Sequence, residues 1–167
     1  MKRRDRDAEF SEFVAAHQRQ LRRFAYSVCG DWTQAEDLLQ TALTKLYVAW
    51  PKMRSRGVEH SYARRIILRA TIDEKRRPWR RESPGLEGFD HPAAPGADIH
   101  ERDELITALA QIPKRQREVV VLRHLVGLSV EQTAEELGLA PGTVKAHAHR
   151  ALPRLRELLG ESLSERN

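Results

Sequence analysis

LSVEQTAEELGLAPGTVKAHAHRAL, residues 128–152, predicts a helix, a tight turn and a second helix. Ser129 is placed to cap the first helix, and Gln132 three residues on completes a capping box. Val130, Ala134 and Leu137 then share one face at helical spacing. Gly138 follows, a residue that accepts the left-handed conformation by which a helix is left sharply. Ala140 and Pro141 open the second helix, where the missing proline N–H costs nothing. Val144, Ala148 and Leu152 give it a buried side. A plain helical hairpin has no need of a small residue at the crossing (Ala134), a glycine four residues later and an apolar plug (Val144) six beyond that. In register, the three predict a helix-turn-helix whose second helix enters the DNA major groove. Opposite its apolar side lie Gly142, Ala146, His149 and Arg150, flanked by Thr143 and Lys145. Arginine reads guanine with two parallel hydrogen bonds, and lysine and threonine hold phosphates. His147 falls nearer the apolar edge. His147 and His149 face different ways on a helix, and no cysteine or carboxylate cluster joins them, so no metal site is expected.

At 167 residues the chain makes one medium domain or two small ones. Cys29 is the single cysteine, which excludes an internal disulfide and fits a reducing cytoplasm. It reads as a small buried apolar residue. There is no apolar run near 18 residues and no signal-peptide pattern, so no membrane insertion is expected. Charge is uneven: residues 1–82 carry 19 cations against 11 acids, residues 83–100 three acids and no cation, and residues 101–167 ten of each. A basic front half predicts an anionic partner for that half as well as for the helix-turn-helix.

In that front half, residues 1–7 read as polar and frayed, and a helix is expected from about Asp7. Phe10, Phe13, Val14, His17, Leu21, Phe24 and Val28 form its continuous apolar face, and Cys29-Gly30 ends it. Thr33 and Glu36 have the spacing of a second capping box. Ala35, Leu38, Leu39, Ala42, Leu43, Leu46 and Trp50 supply the core face of the following helix, which Pro51 stops. Glu36, Asp37, Gln40, Thr41, Thr44, Lys45 and Val48 lie opposite, with Tyr47 at a border. By periodicity alone these are ordinary surface residues. A basic loop, 52–60, precedes a third helix that Ser61 would cap, with Ala63, Ile66, Ile67 and Ala70 inward. Arg64, Arg65, Arg69, Lys75, Arg76 and Arg77 crowd its other side, followed by Pro78 and Trp79. Such cations neutralise phosphates, and a tryptophan can stack on an unpaired base or pack within its own domain.

Residues 83–100, with three Pro, three Gly and no periodicity, read as a flexible linker. Beyond it Leu105, Ile106, Leu109 and Ile112 mark a short helix. Pro113 starts another, packed by Val119, Val120, Leu122, Leu125 and Val126, and Gly127 ends it. Pro153 predicts a kink or break late in the second helix of the motif. The expected fold is all-α: two small helical domains, 7–82 and 101–160, on a tether of 83–100.

AEDLLQTALTKLYVAW (35–50), YARRIILRATIDEKRR (62–77), a linker, and IPKRQREVVVLRHLVGLSVEQTAEELGLAPGTVKAHAHRAL (112–152) resemble, in that order, the sigma factors of bacterial RNA polymerase. They are most similar to the extracytoplasmic-function (ECF) type, which keeps only regions 2 and 4. The resemblance covers about residues 10–160. It implies a region 2-like bundle of three or four helices that docks on the clamp helices of the largest polymerase subunit through Asp37, Gln40, Thr44, Lys45 and Tyr47. It implies capture and melting of the −10 element by Arg54, Arg56, His60, Arg64, Arg65, Arg69, Lys75, Arg76 and Arg77. A region 4-like domain would bind the polymerase flap and read the −35 element through Gly142, Thr143, Lys145, Ala146, His149 and Arg150. The linker would thread toward the RNA exit path. The resemblance also implies a cytoplasmic protein with no catalytic residue and no cofactor, and by family habit an anti-sigma partner. TVKAHAHRA departs from the TVKSR-type start of many members, which points to unusual readout by His149 and Arg150. The other class of reading is a stand-alone helix-turn-helix regulator, but the front half shows neither strand alternation nor an acidic phosphorylation pocket. GxxxxGK, GxSxG, HExxH and CxxC patterns are all missing, which argues against an enzyme.

Overall fold

A computed structural model describes residues 2–53, 57–75 and 99–165, with side chains for 2–53, 57–71 and 103–161. Among the described residues the chain forms only helices and turns. It divides into two compact units, Met1–Thr71 and Ile72–Asn167.

The front unit contains α1 (Arg3–Cys29), α2 (Trp32–Ala49), a 3-10 turn (Trp50–Lys52) and the main part of α3 (Glu59–Lys75). All six aliphatic residues expected on the inner face of α2, from Ala35 to Leu46, are buried. Leu39, Leu43 and Leu46 form the core with Leu21 of α1 and Ala63 of α3, flanked by Phe10, Phe13, Val14, Trp50 and Met53. Five local expectations are corrected. The helix does not wait for Asp7 but begins at Arg3, because Arg6 and Asp7 find a partner on α2. The cap of α2 is Asp31, whose Oδ1 accepts from the Gln34 N–H at 2.8 Å. Asp31 already has the extended backbone of a cap, so Thr33 falls inside the helix and Glu36 pairs with Arg22 of α1. Helix α3 starts at Glu59 ahead of Ser61, and the Glu59 carboxylate accepts from the Gly57 N–H at 2.6 Å. Its buried stripe is Ala63, Ile67, Leu68 and Thr71, while Ile66 and Ala70 are only half-buried. The inward face is therefore rotated toward Leu68. Last, Cys29 is half-exposed, and its thiol donates to the Asp31 carbonyl at 3.2 Å.

The rear unit contains α4 (Ile99–Ala110), α5 (Lys114–Val120), a π-helical turn (Val121–Val126), α6 (Val130–Leu137) and α7 (Pro141–Glu165). Ile99 and His100, expected in the linker, already belong to α4. Helices α4, α5 and α6 all pack on α7. Among the described residues of this unit two charged ones are buried, Arg117 and Glu118. Arg117 Nε donates to the Leu109 carbonyl at 2.8 Å and Nη2 to that of Ile112 at 3.3 Å. It thereby satisfies carbonyls that the end of α4 leaves open. Glu118 lies 3.1 Å from both Lys114 and Arg115. The π turn carries one residue more per hydrogen-bonded ring than an α-helix, which shifts the periodicity. Leu125, expected to pack, is therefore 51% exposed, and Val126 only half-buried. The turn closes at Gly127 (φ 86°), after which the Leu128 N–H bonds to the Leu122 carbonyl at 2.9 Å.

Helix α7 runs without a break through Pro153. The lost N–H would have bonded to the carbonyl of His149, and both residues lie on the exposed side, where solvent can take its place. Buried Ala151, Leu155 and Leu158 hold the helix on either side of the proline. Among the described residues no helix is long and apolar enough to cross a membrane.

Candidate functional site

The capping box at the start of α6 is complete. Ser129 Oγ accepts from the Gln132 N–H at 3.0 Å, and Gln132 Oε1 accepts from the Ser129 N–H at 2.9 Å. Arg123 Nη1 donates to the Leu128 carbonyl at 2.6 Å and fixes the approach to the cap. At the far end Gly138 adopts φ 66°, and the Leu139 N–H bonds to the Ala134 carbonyl at 2.9 Å. The N–H groups of Thr143 and Val144 then both reach the Ala140 carbonyl, at 3.0 and 3.1 Å, and start α7. Val144 is fully buried and Ala134 nearly so, as a plug and its close crossing require.

That seating fixes which face of α7 meets solvent. Gly142, Thr143, Lys145, His149 and Arg150 are exposed and Ala146 is half-buried, so the structure brings the six residues read from the sequence together on one face. Among the described residues the side chains of Lys145, His149 and Arg150 make no hydrogen bond or ion pair. A Cβ on Gly142 would meet nothing within 4 Å. His147 is half-buried with Nδ1 enclosed and unpartnered, which matches its place at the apolar edge. Pro153 and Arg154 extend the exposed face by one turn, and Arg154 is paired with Glu157 at 3.1 Å. Two cations and a histidine without partners, on the outer face of the second helix of a helix-turn-helix, make a surface suited to base edges and phosphates.

In the front unit the expected DNA-binding residues are less uniform. Arg69 is exposed, and Arg64 and Arg65 are half-buried. His60 turns toward its own domain: its ring lies 5.3 Å from that of Phe13 and 4.1 Å, edge-on, from that of His17. Burial, the nearby His17 and Arg64 push the His60 imidazole below its ordinary value of 6.5, against the smaller opposite pull of Glu59. A neutral, packed imidazole is a poor phosphate ligand. Arg54, Arg56, Arg76, Arg77 and Trp79 lie outside the described residues, as does the side chain of Lys75. Sequence reading gave no role to Tyr62, which is 38% exposed. It precedes Arg65 by three residues and Arg69 by seven, so it shares their side of α3. That spacing was the available signal.

On α2, Asp37, Gln40, Thr44 and Lys45 are exposed, and the Thr44 hydroxyl donates to the Gln40 carbonyl at 2.8 Å. Val48 continues that face and is 72% exposed, an apolar side chain amid polar ones. Tyr47 differs: it is half-buried, its hydroxyl donating to Asp7 Oδ1 at 2.7 Å and accepting from Arg6 Nη2 at 2.8 Å. Among the described residues no three His, Cys, Asp or Glu side chains could hold a metal ion together.

Comparison with known proteins gives the same two halves. Residues 13–81 match the family model of sigma-70 region 2, and residues 102–155 that of sigma-70 region 4. The RNA polymerase sigma-E factor of Streptomyces coelicolor is 38% identical over 152 residues, covering 90% of this chain and 86% of the relative. The ECF RNA polymerase sigma factor SigM of Mycobacterium tuberculosis is 32% identical over 151 residues, covering 90% and 77%. Among solved structures, the sigma factor RpoE of Bartonella quintana, crystallised with the anti-sigma factor NepR, superposes with a TM-score of 0.73 at 28% identity, covering 91% of this chain and 97% of that one. With regions 2 and 4 matched in order and relatives of this similarity along nine-tenths of its length, the chain belongs to the sigma-70 family of RNA polymerase sigma factors, in its extracytoplasmic-function branch.

Proposed function

We propose that this sigma factor docks on the clamp helices of core RNA polymerase through the α2 face of Asp37, Gln40, Thr44, Lys45 and Tyr47. It reads the −35 element with Gly142, Thr143, Lys145, Ala146, His149 and Arg150 of α7. The basic loop 52–60 and α3, with Arg64, Arg65 and Arg69, capture and open the −10 element. The front domain (7–82) and the rear domain (101–160) then have different tasks, joined by the 83–100 tether. The rear domain reads a closed duplex. The front one trades base stacking for protein contacts, an exchange of a few kcal/mol per base extruded. Holding both on one polymerase raises their effective concentration, so neither needs high affinity alone.

The observation that carries the reading is the outer face of α7, whose Lys145, His149 and Arg150 have no partner among the described residues. Nucleotide addition belongs to the polymerase, and this chain supplies no catalytic group. It works in the cytoplasm beside the polymerase. An anti-sigma protein is its proposed inhibitor, as NepR is the crystallised partner of the RpoE relative.

The test is gel filtration of the purified chain with sigma-free core polymerase. Stoichiometric co-elution, lost on Asp37→Ala/Lys45→Ala, is the expected result. A folded, inhibitor-free chain that never co-elutes would instead be a stand-alone duplex-binding regulator.

A further inference from the structure

We propose that Arg6 and Asp7 are positioning residues for polymerase binding, fixing the Tyr47 ring on the docking face of α2 before the polymerase arrives. This rests on the reading of that face given above. A tyrosine hydroxyl has one proton to donate and lone pairs to accept with. Here Asp7 takes the proton at 2.7 Å and Arg6 donates at 2.8 Å. The Arg6 guanidinium carbon also lies 4.9 Å from the centroid of the same ring, and Phe10 meets that ring edge-on at 5.1 Å. Arg6 Nε is 3.5 Å from Asp7 Oδ1, which closes the network. With its hydroxyl engaged, Tyr47 offers a partner its ring, between Thr44 and the exposed Val48 on the helix.

Local signals for a helical start of α1 are mixed, with Asp5 as the one acidic side chain in its first turn. Lys2 makes no side-chain cap. Arg3 and Arg4 put positive charge at the positive end of the helix dipole, where it is unfavourable. The contacts of Arg6 and Asp7, forty-one and forty residues from Tyr47 in sequence, are what this turn gains by being ordered. In return the ring is immobilised in advance. A side chain already fixed in its bound position loses less freedom on association than a mobile one.

The test is a double-mutant cycle on the full chain, titrated against core polymerase at fixed salt. Arg6→Ala and Tyr47→Phe should each raise Kd by about three- to tenfold, the range of one or two modest hydrogen bonds. The double variant should bind no worse than the weaker single, because both changes cut one network. Arg6→Lys, which keeps the charge and can still donate to the Tyr47 hydroxyl, should recover part of the loss. Hydrogen exchange at the first turns of α1 reports the ordering separately from binding. A fraying first turn with unchanged Kd, or losses that multiply in the double variant, would overturn the proposal. Asp37→Ala and Lys45→Ala serve as controls in the same titration. If they leave Kd unchanged while Arg6→Ala raises it, the docking face is misassigned and the positioning role falls with it. If they raise Kd and Arg6→Ala does not, only the positioning role fails.

Discussion

Replacing Arg117 tests whether the rear unit is held by a buried cation. Its Nε bond to Leu109 (2.8 Å) and Nη2 bond to Ile112 (3.3 Å) close the end of α4, while a third contact, to Ala110 at 3.5 Å, is too long to count for much. Arg117→Met keeps most of the apolar volume, so the loss is chiefly of charged hydrogen bonds, at about 1.5 kcal/mol each at the low end. Two of them give about 3 kcal/mol, a large share of the stability of a small domain. The choice of assay follows from composition. None of the three tryptophans, at 32, 50 and 79, or the three tyrosines, at 26, 47 and 62, lies within the rear helices, so these carry no aromatic fluorophore of their own. Amide hydrogen exchange in α5 and α7 is the suitable probe. Protection of the slowest amides should fall roughly a hundredfold, the equivalent of 3 kcal/mol. Arg117→Lys should fall between, since an ammonium cannot reproduce the fork. A loss of protection below about threefold for Arg117→Met would refute the reasoning, since it would put the cation's net contribution under 1 kcal/mol.

Ser129→Ala removes one half of the α6 capping box and should cost the rear unit about 1 kcal/mol, read by the same exchange experiment. His60 is held below its ordinary pKa, so the unfolded chain takes up a proton that the fold resists; front-unit stability should fall as pH drops below 6.5 and be restored above it. Trp50, which packs on Phe13 beside the two histidines, reports the transition by fluorescence, and His60→Gln should remove that part of the pH dependence. Arg150→Ala should weaken −35 binding by about 1–3 kcal/mol with a changed base preference, measured on a panel of duplexes. Changing Arg64, Arg65 and Arg69 together to Gln should reduce open-complex formation more than duplex binding by α7; equal losses in the two assays would contradict the division of labour.

The features legible in the sequence were those set by neighbours. The capping box of Ser129 and Gln132, the exit at Gly138 and the entry at Pro141 each involve residues within four positions, and all formed as expected. The inner face of α2 was equally plain, because six aliphatic residues keep one period. Where two residues could serve one role the choice was not visible: Asp31 and Thr33 can both cap, and the backbone already extended at Asp31 decided it. The π turn broke the period that placed Leu125 inside. Distant contacts left no local trace at all. Periodicity gives Arg117 no role, which comes from the Leu109 and Ile112 carbonyls, and nothing near Arg6 announces Tyr47. On α7 the candidate surface could be read from the residues themselves. On α2 periodicity showed only ordinary surface, and its assignment came from the family resemblance.

The unbroken run of α7 through Pro153 makes that helix a lever. Its 25 residues span about 37 Å at 1.5 Å each. The early turns carry Thr143, Lys145, His149 and Arg150, and the later ones carry Ala151, Leu155 and Leu158 into the core. A hinge at the proline would have let the two parts settle separately. Carried on one continuous helix, a change of volume beneath Leu155 or Leu158 is expected to reach the outer face as a tilt. On the proposed reading of that face, promoter preference can be altered from inside, by residues outside the proposed DNA-contacting set. A search for altered-specificity variants should include the buried anchors of α7 along with its exposed side chains.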